Sequence, residues 1–410
     1  MIGEPVGDRT DVCPSKPAAD TLMVRSFSRE RGWWFAARII WLLPLLVIAL
    51  MIIARPLRRT VTPLYHEAVE RWSSRQPLYD GPAGMNYLPH FAVLYGPYHL
   101  AGRVVGDILW RWSAAAGLAA GLGLFVRAIG GPSPARAMVM VSIIALPLAL
   151  PALQTGQANA HLGAALLLAA WCLRTQRWGT AAALLWLATC IKPVALAALG
   201  LAWAAYPQMG WRLAVGLPLF LGFPFLFAPP HYAWSQYVAA GENLRQCAEV
   251  TEHRFADVNG VLRTLGTPLT GKVSLAVRAL AGGALMLVCW QASRRATEPR
   301  RALIWLSTAA GFLMVFNPMT EANSYGILAP ALALMAWWEF QQGVTRRGWL
   351  FASMALTMGL LPNLLRPLLG NSFALVWHPV MTFGFLLMIT WPLFRPREQG
   401  SDCSPLPAGS

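Results

Sequence analysis

The sequence predicts an all-α polytopic membrane protein with about 12 transmembrane helices; 10 to 13 fit the pattern, because several apolar runs are short of a full crossing. Three observations predict it. Charged residues are only 12% of the 410 residues, about half the roughly 25% usual in soluble domains. Hydrophobic residues reach 56% and the mean hydropathy is +0.47, whereas a soluble core stops growing at about 250–300 residues. The apolar residues also fall into runs, and in hydrocarbon a helix is the single-segment structure that satisfies its own backbone. A disordered, fibrous or disulfide-framework protein is excluded. The formal net charge of +15 is no sign of nucleic acid, because the arginines sit at the ends of apolar runs.

In chain order, residues 1–32 read as a polar, proline-containing tail, expected to be cytoplasmic and disordered. Trp33 to Ala54 is the first span. Its apolar stretch is too long for a signal peptide and no clear cleavage site follows, so it reads as a retained signal anchor. Further runs lie at 105–128, 137–153, 158–173, 178–191, 194–206, 211–228, 272–292, 301–317, 324–341, 349–362 and 373–394. The short ones can pair or re-enter. Residues 33–394 form one transmembrane domain, and 395–410 a C-terminal tail.

Lysine and arginine in short loops set orientation. With the N-terminus in the cytoplasm, alternation puts Arg127, Arg136, Arg174, Arg177, Arg212, the Arg294–Arg301 cluster, Arg346 and Arg347 inside. Both termini are then cytoplasmic, and the protein is expected in the cell (plasma) membrane. Arg55, Arg58, Arg59, Arg71 and Arg75 fall outside and run against the rule. The outer face carries two long segments, 55–104 and 229–271, whereas the inner loops are short. A transporter places its site near the midplane between repeated halves, and no internal repeat is visible. An enzyme acting on a membrane-held substrate builds its site from loops on one face.

Within the first outer segment, Leu64, Ala68 and Trp72 recur at helical spacing opposite Glu67, Glu70, Arg71 and Ser74, so Pro63–Arg75 predicts an interfacial helix. Tyr87–Leu100 is aromatic, interrupted by Pro89 and Pro97, and too short to cross; it predicts a second one. These helices are an aromatic belt or a platform for a lipid-linked substrate. The stretch Gln154–His161 sets a polar patch between apolar runs, where it needs partners or a cavity. There Gln157 and Asn159 offer paired donors and acceptors suited to sugar hydroxyls, and a capped helix–helix turn is the plainer reading. Lys192-Pro193 places a cation at a helix break, a partner for phosphate or a lysine snorkelling to the interface. Asn317–Tyr325 is another polar turn, in which Glu321 is the only acid and Thr320 and Asn323 serve as helix caps or as ligands. Arg254–Gly260 is a weaker signal of the same kind. The six cysteines are scattered and the seven histidines dispersed, with His66, His90 and His99 the closest group, so no metal site or resident cofactor is expected. There is no HExxH, Walker loop, GxGxxG or Ser/His/Asp spacing.

Taken in order, these residues resemble glycosyltransferase family 87, the polyprenyl-phosphate-mannose-dependent, GT-C-type membrane proteins. The family's Tyr–x–x–Ala helix is similar to Tyr65–Ala68, its Leu-Tyr to Leu78-Tyr79, and its Tyr–(Pro/Leu)–Pro to Tyr87-Leu88-Pro89. Its Gly-Gln-x-Asn resembles Gly156–Asn159, its Lys-Pro resembles Lys192-Pro193, and its late turn resembles Asn317–Asn323. The resemblance implies a GT-C-like fold and transfer of a mannose-like hexose from a polyprenyl-phosphate carrier to a lipid or glycan acceptor on the outer face. It implies substrate contacts at Tyr65, His66, Tyr87, Gln157, Asn159, Lys192, Thr320 and Asn323. The family's usual aspartate, taken as the base, falls on Val61 here. Glu67 or Glu321 then takes the catalytic role, or the activity is lost or changed. A transporter or flippase of a lipid-linked sugar and a non-catalytic binding protein are the alternatives. Membrane lipids, the lipid-linked donor and the acceptor are the expected partners.

Overall fold

The computed structural model describes residues 16–81, 84–131, 133–249, 255–370 and 372–394, and it is helical with no strand among them. Sixteen α-helices follow in order: α1 Lys16–Ala54, α2 Thr62–Ser73, α3 His90–Leu100, α4 Arg103–Ile129, α5 Pro134–Thr155, α6 Asn159–Arg174, α7 Trp178–Ile191, α8 Leu196–Ala205, α9 Met209–Gly222, α10 Pro230–Glu249, α11 Val258–Thr264, α12 Gly271–Arg295, α13 Arg300–Val315, α14 Ala329–Gln341, α15 Thr345–Leu369 and α16 Ser372–Thr390. Each of the twelve apolar runs is therefore a helix.

Among the described residues, seven helices are long and apolar enough to cross a membrane: α1, α4, α5, α9 with the turn that follows it, α12, α15 and α16. The other five, α6, α7, α8, α13 and α14, run from 10 to 16 residues, below the roughly 20 that a crossing needs. Length alone thus supports seven crossings, not twelve. The physical reason lies in burial. Short helices survive at membrane depth where other helices surround them, and α13 and α14 are buried almost all round, with Trp305, Leu332 and Ala333 fully enclosed. The outermost helices show the reverse. On α1, Leu42 (54%), Leu46 (52%) and Ile53 (60%) are exposed, which suits lipid and not water. The opposite side of α1 buries Trp41, whose Nε1 donates to Ser142 Oγ of α5 at 3.0 Å.

Three boundaries differ from expectation. α1 begins at Lys16, inside the stretch read as a disordered tail. Pro17 is tolerated in the first helical turn, and no further proline occurs until Pro44. Residues 1–15 and the C-terminal tail 395–410 lie outside the described residues. Segment 229–271 is largely helical, not a loop, because it contains α10 and α11. Finally, α2 is rolled relative to the sequence pattern: Tyr65, His66, Ala68 and Trp72 are buried while Leu64 is 41% exposed.

α2 and α3 are 12 and 11 residues long, too short to cross. They pack on each other beside the start of α4. The second long segment then folds over the first. Tyr232 Oη of α10 donates to the Gln76 carbonyl at 2.7 Å, Gln236 Oε1 accepts from the Leu78 amide at 3.0 Å, and Asn243 Nδ2 donates to the Met85 carbonyl at 3.1 Å. Two stretches more than 150 positions apart in sequence thereby form one cap over one end of the bundle.

Candidate functional site

Under that cap lies a cavity of about 550 Å³, within the size range of small-ligand sites. Val61, Tyr65 and Tyr87 line it from the first segment, Gln157 and Asn159 from the α5–α6 turn, and Lys192 from the α7–α8 break. Glu321 and Ser324 line it from the turn after α13.

Local chemistry explains each placement. α5 ends at Gly156, whose φ of +71° is left-handed, a conformation that glycine adopts without penalty. A Cβ there would meet Arg111 Nη2 at 2.7 Å. The chain can therefore turn sharply against a buried arginine and start α6 at Asn159. Lys192 has φ −150° and ψ 123°, the extended geometry imposed on a residue before proline. It stops α7 and sends the ammonium into the cavity. Pro89 sits at the N-cap of α3, so Tyr87 stays in irregular chain and its ring stacks on Phe91 at 4.4 Å.

The polar groups form one connected run. Lys192 Nζ donates to Asn159 Oδ1 at 2.9 Å. Asn159 Nδ2 donates to Gln157 Oε1 at 2.9 Å and to Ser324 Oγ at 2.8 Å. Gln157 Nε2 donates to Glu321 Oε2 at 2.6 Å. A cation and a carboxylate thus face one cavity, joined through two amides and not through a direct ion pair. Lys192 also lies 5.9 Å from the centre of the Tyr87 ring. Burial lowers its pKa to about 8, with the charge of Glu321 pulling the other way. Tyr65 Oη accepts from the Ala158 amide at 3.1 Å and meets Tyr87 Oη at 3.0 Å. Burial raises the Tyr65 phenol to about 12, so Tyr65 remains neutral and acts as a hydrogen-bonding group.

Of the sequence-derived candidates, Tyr65, Tyr87, Gln157, Asn159, Lys192 and Glu321 come together here. Four do not. Glu67 is on the far side of α2, its side chain 48% exposed and paired with Arg71 Nη2 at 2.6 Å. An α-helix turns about 100° per residue, so the turn that buries Tyr65 points Glu67 away. His66 is buried behind α2. Its Nε2 is 3.1 Å from Asp107 Oδ1 and its Nδ1 3.0 Å from His99 Nδ1. Thr320 is buried in the turn itself, donating from Oγ1 to the Asn317 carbonyl at 2.9 Å and accepting at its own carbonyl from the Ala256 amide at 2.6 Å. Asn323 belongs to a short 3₁₀ turn, Ala322–Ile327, and is not among the cavity residues. In the weak Arg254–Gly260 signal, Arg254 is outside the described residues and Asp257 is a helix cap, accepting from the Gly260 amide at 2.6 Å. His90 leaves the histidine group altogether, its Nε2 lying 2.8 Å from the Phe220 carbonyl. Among the described residues no group of three His, Cys, Asp or Glu gathers for a metal ion.

Sequence reasoning also passed over residues that matter. Asp107 and Arg111 are buried on α4. Asp107 accepts from Thr62 Oγ1 at 2.5 Å and Tyr95 Oη at 3.0 Å, and lies 3.7 Å from Arg111 Nη1. This network clamps α2 and α3 onto α4 immediately behind Tyr65. The available signal was an acid and an arginine four positions apart in an otherwise apolar helix, since intramembrane charges need partners. Asn86 also lines the cavity from outside any marked motif, and Asn317 and Ser324 line it from the polar turn 317–325 without having been singled out there.

Residues 86–318, more than half of the chain, match the profile of glycosyltransferase family 87. The matched region takes in Tyr87, Gln157, Asn159 and Lys192, starts after Tyr65 and ends just before Glu321. No curated protein matches the chain.

Proposed function

The chain belongs to glycosyltransferase family 87, and we propose on that basis that it moves a mannose-like hexose from a polyprenyl-phosphate carrier to a lipid or glycan acceptor on the outer face of the plasma membrane. It does so as a GT-C-type protein with about twelve crossings, the short buried helices included, and with both termini cytoplasmic. The observation that carries the reading is the run Lys192–Asn159–Gln157–Glu321 around one cavity. Transfer needs a base for the acceptor hydroxyl and a cation for the departing phosphate, and the two ends of this run supply them.

In the proposed step the acceptor oxygen bonds to the anomeric carbon while Glu321 takes its proton. The bond from that carbon to the phosphate oxygen breaks, and the phosphate leaves with the electron pair toward Lys192. Gln157 orients the carboxylate, and Asn159 orients both Gln157 and the ammonium. Tyr65 and Tyr87 offer aromatic faces and hydroxyls to the sugar. Val61 stands in the cavity wall where the family's acid is expected, so the carboxylate comes from the late turn instead.

The test is an assay of membrane vesicles with radiolabelled polyprenyl-phosphate hexose and a panel of acceptor lipids. Glu321→Gln should lower the rate about 10²–10⁴-fold and Lys192→Gln should raise the donor KM. Glu67→Gln should leave the rate unchanged. Full activity in Glu321→Gln would refute the assigned base. Movement of the intact lipid-linked sugar across the bilayer, with no transfer to any acceptor, would identify a flippase.

A further inference from the structure

At the end of α1 lies a second cleft that the transfer reaction does not use. Its volume is about 200 Å³, below the roughly 300–1,000 Å³ of sites that enclose whole small molecules. Ile48, Met51 and Ile52 form one wall, and Arg55, Arg58 and Arg59 form the other. The chain turns tightly here: the Arg58 amide donates to the Arg55 carbonyl at 3.1 Å, and Arg59 is held at a left-handed φ of +53°, which a side chain disfavours. The buried guanidinium of Arg111 closes the floor and donates from Nη2 to Thr60 Oγ1 at 2.8 Å.

Three arginines stand together in this cleft without an acid between them. Arg71 pairs with Glu67 and Asp80, Arg245 with Glu242, Arg301 with Glu298, and Arg347 with Glu339. Among the described residues, Arg55, Arg58 and Arg59 face no acid. Asp107, beside the floor, is already shared between Arg111, His66 and Thr62. Three exposed arginines therefore stand together at the point where the apolar surface of α1 ends. Just below them Leu50 (57%), Met51 (42%) and Ile53 (60%) are open to the surroundings. A ligand that answers both features carries an anionic phosphate on an acyl chain.

We propose that this cleft binds the headgroup of an anionic phospholipid, the phosphate between Arg55, Arg58 and Arg59 and the acyl chains along the exposed side of α1. Guanidinium groups bind phosphate by paired, charge-assisted hydrogen bonds. A bound lipid accounts for an arginine cluster in a loop that opposes the orientation rule. The site is distinct from the Lys192–Glu321 cavity but adjoins it, because Thr60 lines one and Val61 the other. Occupancy would brace the segment that carries α2 and Tyr65.

The test uses full-length protein in detergent, titrated with dioleoylphosphatidylglycerol, dioleoylphosphatidylcholine or inorganic phosphate and read by native mass spectrometry. Electrostatic attraction of one basic residue to an anionic lipid corresponds to about five-fold in affinity. The wild type should take phosphatidylglycerol at least about ten-fold more readily than phosphatidylcholine. The variant carrying Arg55→Gln, Arg58→Gln and Arg59→Gln should lose that preference, whereas Arg245→Gln on α10 should keep it. If the triple variant does not elute as the wild type does, the three single variants decide, each losing about five-fold; three unchanged single variants would refute the site. Equal uptake of the two lipids, or a preference that survives the triple substitution, would overturn the proposal. Displacement of phosphatidylglycerol by inorganic phosphate at matched concentration would identify a free anion as the ligand and overturn the lipid assignment.

Discussion

Lys192 and Glu321 are oppositely charged and share a cavity, yet two amides keep them apart. A direct ion pair would satisfy both groups and leave neither for substrate. The spacing instead leaves a cation and a carboxylate at two points of one cavity. The lysine has a pKa of about 8 because its surroundings penalise the charged form. The ammonium is the form that binds phosphate, so donor capture should weaken as pH rises through about 8 in the free protein. Initial rates measured from pH 6 to 10 should show kcat/KM for the donor falling about ten-fold per unit above that point. Lys192→Arg should move the descending limb upward, since arginine keeps its proton in this range. A flat profile to pH 10 would show that the ammonium is not needed. Glu67 illustrates the opposite situation. It has a partner in Arg71 and faces out, away from the cavity that its neighbour Tyr65 lines.

At the scale of elements, the site depends on how three helix ends are held. The Asp107 carboxylate ties Thr62 and His66 of α2, Tyr95 of α3 and Arg111 of α4 together. Asp107→Ala leaves the buried Arg111 without a counter-charge, which costs about 3–5 kcal/mol for a broken buried pair. A large drop in thermal stability should result, with transferase activity lost together with the fold. Asp107→Asn keeps the shape and should be milder; equal stability of Asp107→Ala and the wild type would refute the clamp. The α5–α6 turn is the second such end. Gly156 is left-handed and its missing Cβ makes room for the Arg111 guanidinium. Gly156→Ala should therefore destabilise by about 1–3 kcal/mol and displace Gln157, lowering activity even where the protein still folds. Differential scanning fluorimetry alongside the transfer assay separates the two effects.

For the whole molecule, the long non-spanning segments belong to one end of the helical bundle, because α10 hydrogen-bonds to the chain between α2 and α3. This interlock requires 55–104 and 229–271 to lie on the same side of the membrane. α12, with 25 residues, is about 37 Å long and reaches from that end to the other. Reporter fusions after Gly271 and after Ala296 should accordingly report opposite sides. The same side at both would mean that α12 does not cross and that the cap does not sit over a membrane-embedded bundle. The exposed arginines at the end of α1 sit at this same capped end, beside the cavity and outside it.

Composition and periodicity were sufficient for the helical membrane class, for all twelve apolar helices and for the two short helices of the first segment, because helices in lipid satisfy their backbones locally. The turns carrying Gln157, Asn159, Lys192 and Glu321 were legible for the same reason: polar residues that interrupt apolar runs stand out where polar groups are costly. The number of crossings was not legible, since short helices depend on neighbours that a linear pattern does not display. Local periodicity read α2 with Leu64 on the wrong side, because packing against α3 and α4 sets the roll that buries Tyr65 and His66. The ties of Asp107 to Thr62 and His66, the interlock of α10 with the first segment, and the Arg111 floor of the arginine cleft all join residues far apart in sequence. Contacts of that kind are products of tertiary packing, where burial and charge are properties of the assembled surroundings and not of the residue itself.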